Sequence, residues 1–67
     1  GAAGVKVIGG NGIVEIQGAA GKKVVISNIL GKVVAETILA SDNATIAVPA
    51  GIVLVTVGDE TVKVVVK

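Results

Sequence analysis

Apolar residues in this chain recur at every second position in short runs, and clusters of Gly, Asn, Ser, Asp and Pro separate the runs. A period of two places alternate side chains on opposite faces of an extended strand. The pattern predicts strands at residues 5–8, 13–17, 23–29, 33–39, 44–48, 52–57 and 61–66. Within them, Val14 and Ile16 fall on one face and Ile13 and Glu15 on the other. Val24, Ile26 and Asn28 share a face opposite Val25 and Ser27, and Ile46 aligns with Val48. In the strand at 33–39, Val34 and Ile38 are expected to point inward. The run at 52–57 is apolar on both faces, so it is expected in the middle of a sheet.

The breaks have their own chemistry. Asn11-Gly12 is a tight-hairpin signal in which both residues are expected to accept positive φ. "GAAGK" (residues 18–22) reads as a flexible connection, Leu30-Gly31-Lys32 as a turn and Ser41-Asp42-Asn43 as a loop. Pro49 stands at a strand boundary, where its missing N–H is tolerated. Gly58-Asp59-Glu60 reads as a solvated hairpin turn. No segment keeps a helical period, and "VVAETILAS" is too short and too β-branched for one. Parallel strands need long crossovers, for which the chain has no room. The expected fold is a single all-β domain, a small antiparallel Ig-like β-sandwich of six or seven strands over residues 5–67. Residues 1–4 read as a linker or cloning remnant.

Composition sharpens this picture. The chain has 67 residues, 52% hydrophobic, with no Phe, Trp, Tyr, Met or Cys. Its core must be built from Val, Ile, Leu and Ala, whose β-branched members favour a pleated surface. A domain of this size buries only about 60% of the surface its unfolded chain exposes, and no disulfide is available to help. Six basic residues, all lysine, stand against five acids, for a net charge of +1. That balance gives no electrostatic footprint for nucleic acid, and no aromatic ring is present for a base to stack on. No apolar run approaches the length of a membrane helix. The first residue is Gly, no signal peptide is visible, and the chain reads as an excised piece of a longer protein.

Candidate chemistry is thin. Without His or Cys, most nucleophile–base pairs and most transition-metal sites are excluded. Ser27 lies in a strand and Ser41 in a loop, neither with a base partner in sequence. The carboxylates are Glu15, Glu36, Asp42, Asp59 and Glu60. They lack the aromatic-lined cleft of a glycosidase, and "SDNAT" offers too few ligands for a calcium loop. "GAAGKK" fails the phosphate-loop pattern, because Ile16 stands at its first glycine and Lys23 at its Ser or Thr. Asn43-Ala44-Thr45 matches the N-glycosylation triplet, a pattern short enough to arise by chance. Lys32, in "LGKV", is the nearest approach to the modified lysine of a biotinyl or lipoyl carrier, without the neighbours that a modifying enzyme expects. No enzyme activity, cofactor or metal is expected.

Three segments carry a family resemblance. "KKVVISNILGKVV" (residues 22–34) reads as a strand ending in Asn, a Leu-Gly-polar turn and a returning strand. "VPAGIVLVTV" (residues 48–57) is similar to an L-P-x-G-V-Y-x-V-x-V pattern, with Val53 where Tyr or Phe is usual. "VKVVVK" (residues 62–67) is a short basic-apolar strand closing the chain. In this order the trio resembles the C-terminal sorting domain of the type IX secretion system of Bacteroidetes, type A, most of all its Porphyromonas versions. The Asn-Pro opening common in such domains is absent.

The resemblance implies a non-catalytic address label on an N-terminal cargo domain. The cargo would reach the periplasm and then pass the type IX outer-membrane translocon and its shuttle proteins. A surface sortase would remove the label near residues 1–4, leaving the cargo at the outer membrane and cell surface or secreted. By the same resemblance, the translocon would read Lys63, Val64, Val65, Val66 and Lys67, and Gly31, Pro49 and Gly51 would form the motif turns. A strand of alternating Lys and Val offers backbone edges and an apolar face to a partner. The competing reading is an inert Ig-like structural or adhesive module, in which the last strand completes the sandwich and Lys63 and Lys67 guard its edge. Aliphatic strands of this kind are also open to a strand-swapped or edge-paired homodimer.

Overall fold

The computed structural model describes residues 4–67. It contains seven strands: β1 (Lys6–Gly9), β2 (Ile13–Gln17), β3 (Lys23–Asn28), β4 (Val33–Ile38), β5 (Asn43–Ala47), β6 (Gly51–Val57) and β7 (Glu60–Val66). They form two antiparallel sheets, one ordered β1-β2-β5 and the other β4-β3-β6-β7. The fold is therefore a small β-sandwich, as the period-two pattern predicts, and every strand lies within a residue or two of its expected place. The part of the expected linker at residues 1–3 lies outside the described residues.

The sheets close on an aliphatic core. Val14 and Ile16 of β2, Val24 and Ile26 of β3, and Val53, Val55 and Val57 of β6 point inward, with Val64 and Val66 of β7. Val48 seals the start of the β5–β6 connection. No polar or charged side chain is buried among the described residues, so the core needs no internal hydrogen bonds to offset desolvation. β6 lies between β3 and β7, the interior position its two apolar faces required.

β4 departs from expectation. Val34 is half-buried against the core, but Ile38 is 68% exposed. A bulge between Ile26 and Ser27 changes the register, so that Ile26 opposes Ala35 while Ser27 opposes Val33. The extra residue flips the alternation beyond it. Ala35 and Thr37 then lie opposite the buried Ile26 and Val24, and Ile38 turns outward. Leu39 turns in instead and is buried with Ala19, held by Leu39 N–H to Lys22 O (3.0 Å) and Gly21 N–H to Leu39 O (2.8 Å). A residue of the expected connection at 18–22 and the last residue of the expected strand at 33–39 thus cap one end of the core.

The Asn11-Gly12 hairpin also differs in detail. Within it only Gly12 has positive φ, at 69°; among the described residues no non-glycine residue does. The register continues from Gly9 opposite Val14 to Gly10 opposite Ile13, with Gly10 N–H donating to Ile13 O at 2.9 Å, so Asn11 and Gly12 alone make the turn. The two-residue turn is therefore kept, with positive φ at its second residue alone, as in a type II turn, and not at both residues as in type I′.

Candidate recognition surface

β7 shows how sequence parity positions the residues expected to be read. Val62, Val64 and Val66 face the core, while Thr61, Lys63 and Val65 face outward. One side of the strand is fully paired with β6, from Gly51 opposite Val66 to Val57 opposite Glu60. Of the five expected tail residues, Val64 and Val66 are therefore buried core. Only Lys63, Val65 and Lys67 present side chains to solvent.

The other side of β7 meets the first hairpin. Lys67 N–H donates to Gly10 O at 3.0 Å, and Gly12 N–H donates to Lys67 O at 2.8 Å. A bond from residue j to i−1, returned from i+1 to j, is the pattern of a parallel pair, here centred on Asn11 and Lys67. Gly12 O in turn accepts from Val48 N–H at 3.0 Å. The position a Cβ would take at Gly9 is filled by the Val65 carbonyl oxygen, with Val64 Cγ1 at 2.7 Å. The backbone edge expected to be on offer at the end of β7 is thus occupied within the fold. No sequence signal short of the Gly9-Gly10 pair pointed to this seam.

The turn residues sit around the same end of the sheet. Gly31, at φ 90°, shapes the hairpin between β3 and β4, where Asn28 Oδ1 accepts from the N–H groups of Leu30 (2.9 Å) and Lys32 (3.0 Å). Pro49 lies in the break between β5 and β6, and Gly51 opens β6 at φ 130°, directly opposite Val66. Gly31, Gly51 and Val66 therefore belong to one end of one sheet. Lys32 is exposed at its hairpin.

Little else in the fold offers chemistry. A shallow groove on the outer face of the smaller sheet is lined by Glu15, Gln17, Asn43, Ala44 and Thr45, built from the cross-strand pairs Glu15–Thr45 and Gln17–Asn43. It holds one carboxylate and no nucleophile–base pair. No group of three or more His, Cys, Asp or Glu residues that could hold a metal occurs among the described residues. Among the described residues, no helix is long and apolar enough to cross a membrane.

Fold and surface define a small antiparallel β-sandwich whose last strand is locked against its first hairpin. The chain belongs to the family described as "Domain of unknown function (DUF6383)", which matches residues 1–66. No curated protein and no solved structure matches it.

Proposed function

We propose that this chain is a non-catalytic sorting signal, a domain that directs a cargo protein through a type IX outer-membrane translocon and is then removed by a surface sortase. The observation that carries this reading is spatial. The three segments resembling the sorting-domain pattern supply β3 and the start of β4, β6, and β7, which are neighbours in one sheet. Pieces of a single recognition surface must be contiguous, and these are. The outward side chains of Lys63, Val65 and Lys67 are what the last strand shows to a translocon or shuttle protein. The label acts in the periplasm in transit and at the outer membrane on arrival.

One observation favours a second reading, an inert Ig-like structural or adhesive module. The main chain of Lys67 is bonded within the fold, so β7 is accounted for as a part of the sandwich alone. A fluorescent protein with a periplasmic signal, fused ahead of this chain in a Bacteroidetes strain with an active type IX system, separates the two. Fluorescence at the surface or in the medium, lost in a Lys63→Gln/Val65→Ser/Lys67→Gln variant that stays folded in the periplasm, is the expected result. Periplasmic retention of the unaltered fusion would sink the sorting reading and leave the inert module.

A further inference from the structure

The outer face of the β4-β3-β6-β7 sheet changes character along its length. Toward the β6–β7 turn it is mostly polar, although Ile38, opposite Lys23, is exposed there. The Thr56 and Thr61 hydroxyls meet at 2.9 Å, and Lys23 Nζ lies 2.9 Å from Glu36 Oε2. Toward the other end the register lines up Val33, Ser27, Leu54 and Lys63 across four strands. The next outward row carries the pair Ile52–Val65. Ile29 follows Asn28, whose partner is Val53, so it continues that row. Leu30, at the hairpin tip beside it, is 89% exposed, and Ile29 is 66% exposed.

Charge segregates along the same axis. Lys32, Lys63 and Lys67 lie at the apolar end, and none of the five carboxylates does. Glu36 is paired with Lys23, Asp59 and Glu60 lie at the β6–β7 turn, Asp42 sits in the β4–β5 connection, and Glu15 belongs to the opposite sheet. The other end mixes signs, with Lys6, Lys22 and Lys23 among those acids.

We propose that the end of the sheet bearing Ile29, Leu30, Ile52 and Val65, rimmed by Lys32, Lys63 and Lys67, docks on an anionic phospholipid bilayer. Contiguous exposed apolar surface marks either a protein or a membrane contact. Protein interfaces draw their anchors from aromatic residues, Met and Arg and are depleted in Lys, whereas this chain has none of the former and its patch is ringed by the latter. A bilayer surface asks for a different set. Aliphatic groups sink past the headgroups while lysine ammonium groups stay at the phosphate level, their stems lying along the apolar surface. The hairpin tip of Ile29 and Leu30, with Lys32 two residues on, has that arrangement. A second copy of the chain would bring the three lysines against their own images, a like-charge juxtaposition that opposes pairing. This inference does not depend on the sorting reading.

Cosedimentation with vesicles tests it, using phosphatidylcholine alone and phosphatidylcholine with about a third phosphatidylglycerol. The chain is expected to partition onto the anionic vesicles and, by at least about tenfold, less onto the neutral ones. Ile29→Ser/Leu30→Ser and Lys32→Gln/Lys63→Gln/Lys67→Gln should each weaken anionic partition at least about tenfold, and Lys6→Gln/Lys22→Gln/Lys23→Gln no more than about twofold. All these side chains are exposed, and circular dichroism confirms that each variant keeps its strands. No partition of the unaltered chain would overturn the proposal, as would equal losses in the two lysine triples. A vesicle-free dimer that Leu30→Ser dissociates would give the surface to a second copy. Soluble polyglutamate that displaces the vesicles and ignores the Leu30 change would give it to an acidic polypeptide.

Discussion

The main-chain N–H of Lys67 donates to Gly10 at 3.0 Å, and Gly12 returns a bond to the Lys67 oxygen at 2.8 Å. This exchange joins the last strand of one sheet to the first hairpin of the other, so the final residues act as a seam. Val66, 2% exposed, sits directly beneath it. Removing Val66 and Lys67 should cost about 3–4 kcal/mol, from about 1.5 for the buried valine and about 1 for each hydrogen bond. A domain this small holds little more in reserve. Lys67→Gln keeps the main chain and should cost under about 0.5 kcal/mol. Urea denaturation of the two variants checks the contrast, and equal losses would refute the seam. The same contrast explains why side-chain substitution, not truncation, is the right probe of recognition.

Two isoleucines test the bulge in the β3–β4 pair, where Val34 of β4 is the extra residue. Ile26 is fully buried opposite Ala35, whereas Ile38 lies outward opposite Lys23. Ile26→Ala should lower stability by about 2–5 kcal/mol, enough to unfold much of the population. Ile38→Ala should stay within about 0.5 kcal/mol. Comparable losses at both positions would mean that β4 keeps the unbroken alternation its sequence suggests.

The contrast between those residues also marks what the sequence makes legible. Period-two alternation exposed the strands and the inward faces of β2, β3 and β6, because each such residue is decided by its own neighbours in the chain. Ile38 and Leu39 are decided elsewhere. A bulge inserted by the β3–β4 pairing reverses their parity, and no local residue announces it. The Lys67 seam is likewise a contact between residues at opposite ends of the chain. Gly9 and Gly10 read locally as turn punctuation, and only the packed fold reveals that Gly9 clears space for Val65. The candidate surface was half legible. Its residue types were in view, but which of Lys63, Val64, Val65, Val66 and Lys67 faced solvent depended on β7 being paired inward.

The polar end of the outer face supports a smaller prediction. Thr56 and Thr61 are a directly opposed cross-strand pair with their hydroxyls 2.9 Å apart. Threonine-to-valine changes keep the β-branched shape and replace only the hydroxyl, by a methyl. A double-mutant cycle with Thr56→Val and Thr61→Val should return a coupling of about 0.2–1 kcal/mol. A coupling indistinguishable from zero would mean that water satisfies both hydroxyls equally well.

Two glycines of the first hairpin should respond to alanine for different reasons. At Gly12 a Cβ would meet nothing within 4 Å, and the cost is conformational, arising from φ of 69°. A left-handed residue carrying a Cβ loses about 1–2 kcal/mol there. At Gly9 the backbone is unremarkable, but a Cβ would occupy the place of the Val65 carbonyl oxygen and crowd Val64 Cγ1 at 2.7 Å. Neither the carbonyl nor a core valine can step aside without opening the seam, so Gly9→Ala should cost more, about 2–4 kcal/mol. Amide hydrogen exchange distinguishes the mechanisms. Gly9→Ala should deprotect Gly12 and Lys67, whose N–H groups form the seam, before the core strands lose protection. Gly12→Ala should lower protection across the sandwich together. If Gly9→Ala left the Lys67 amide protected, β7 would not rest on β1 as described.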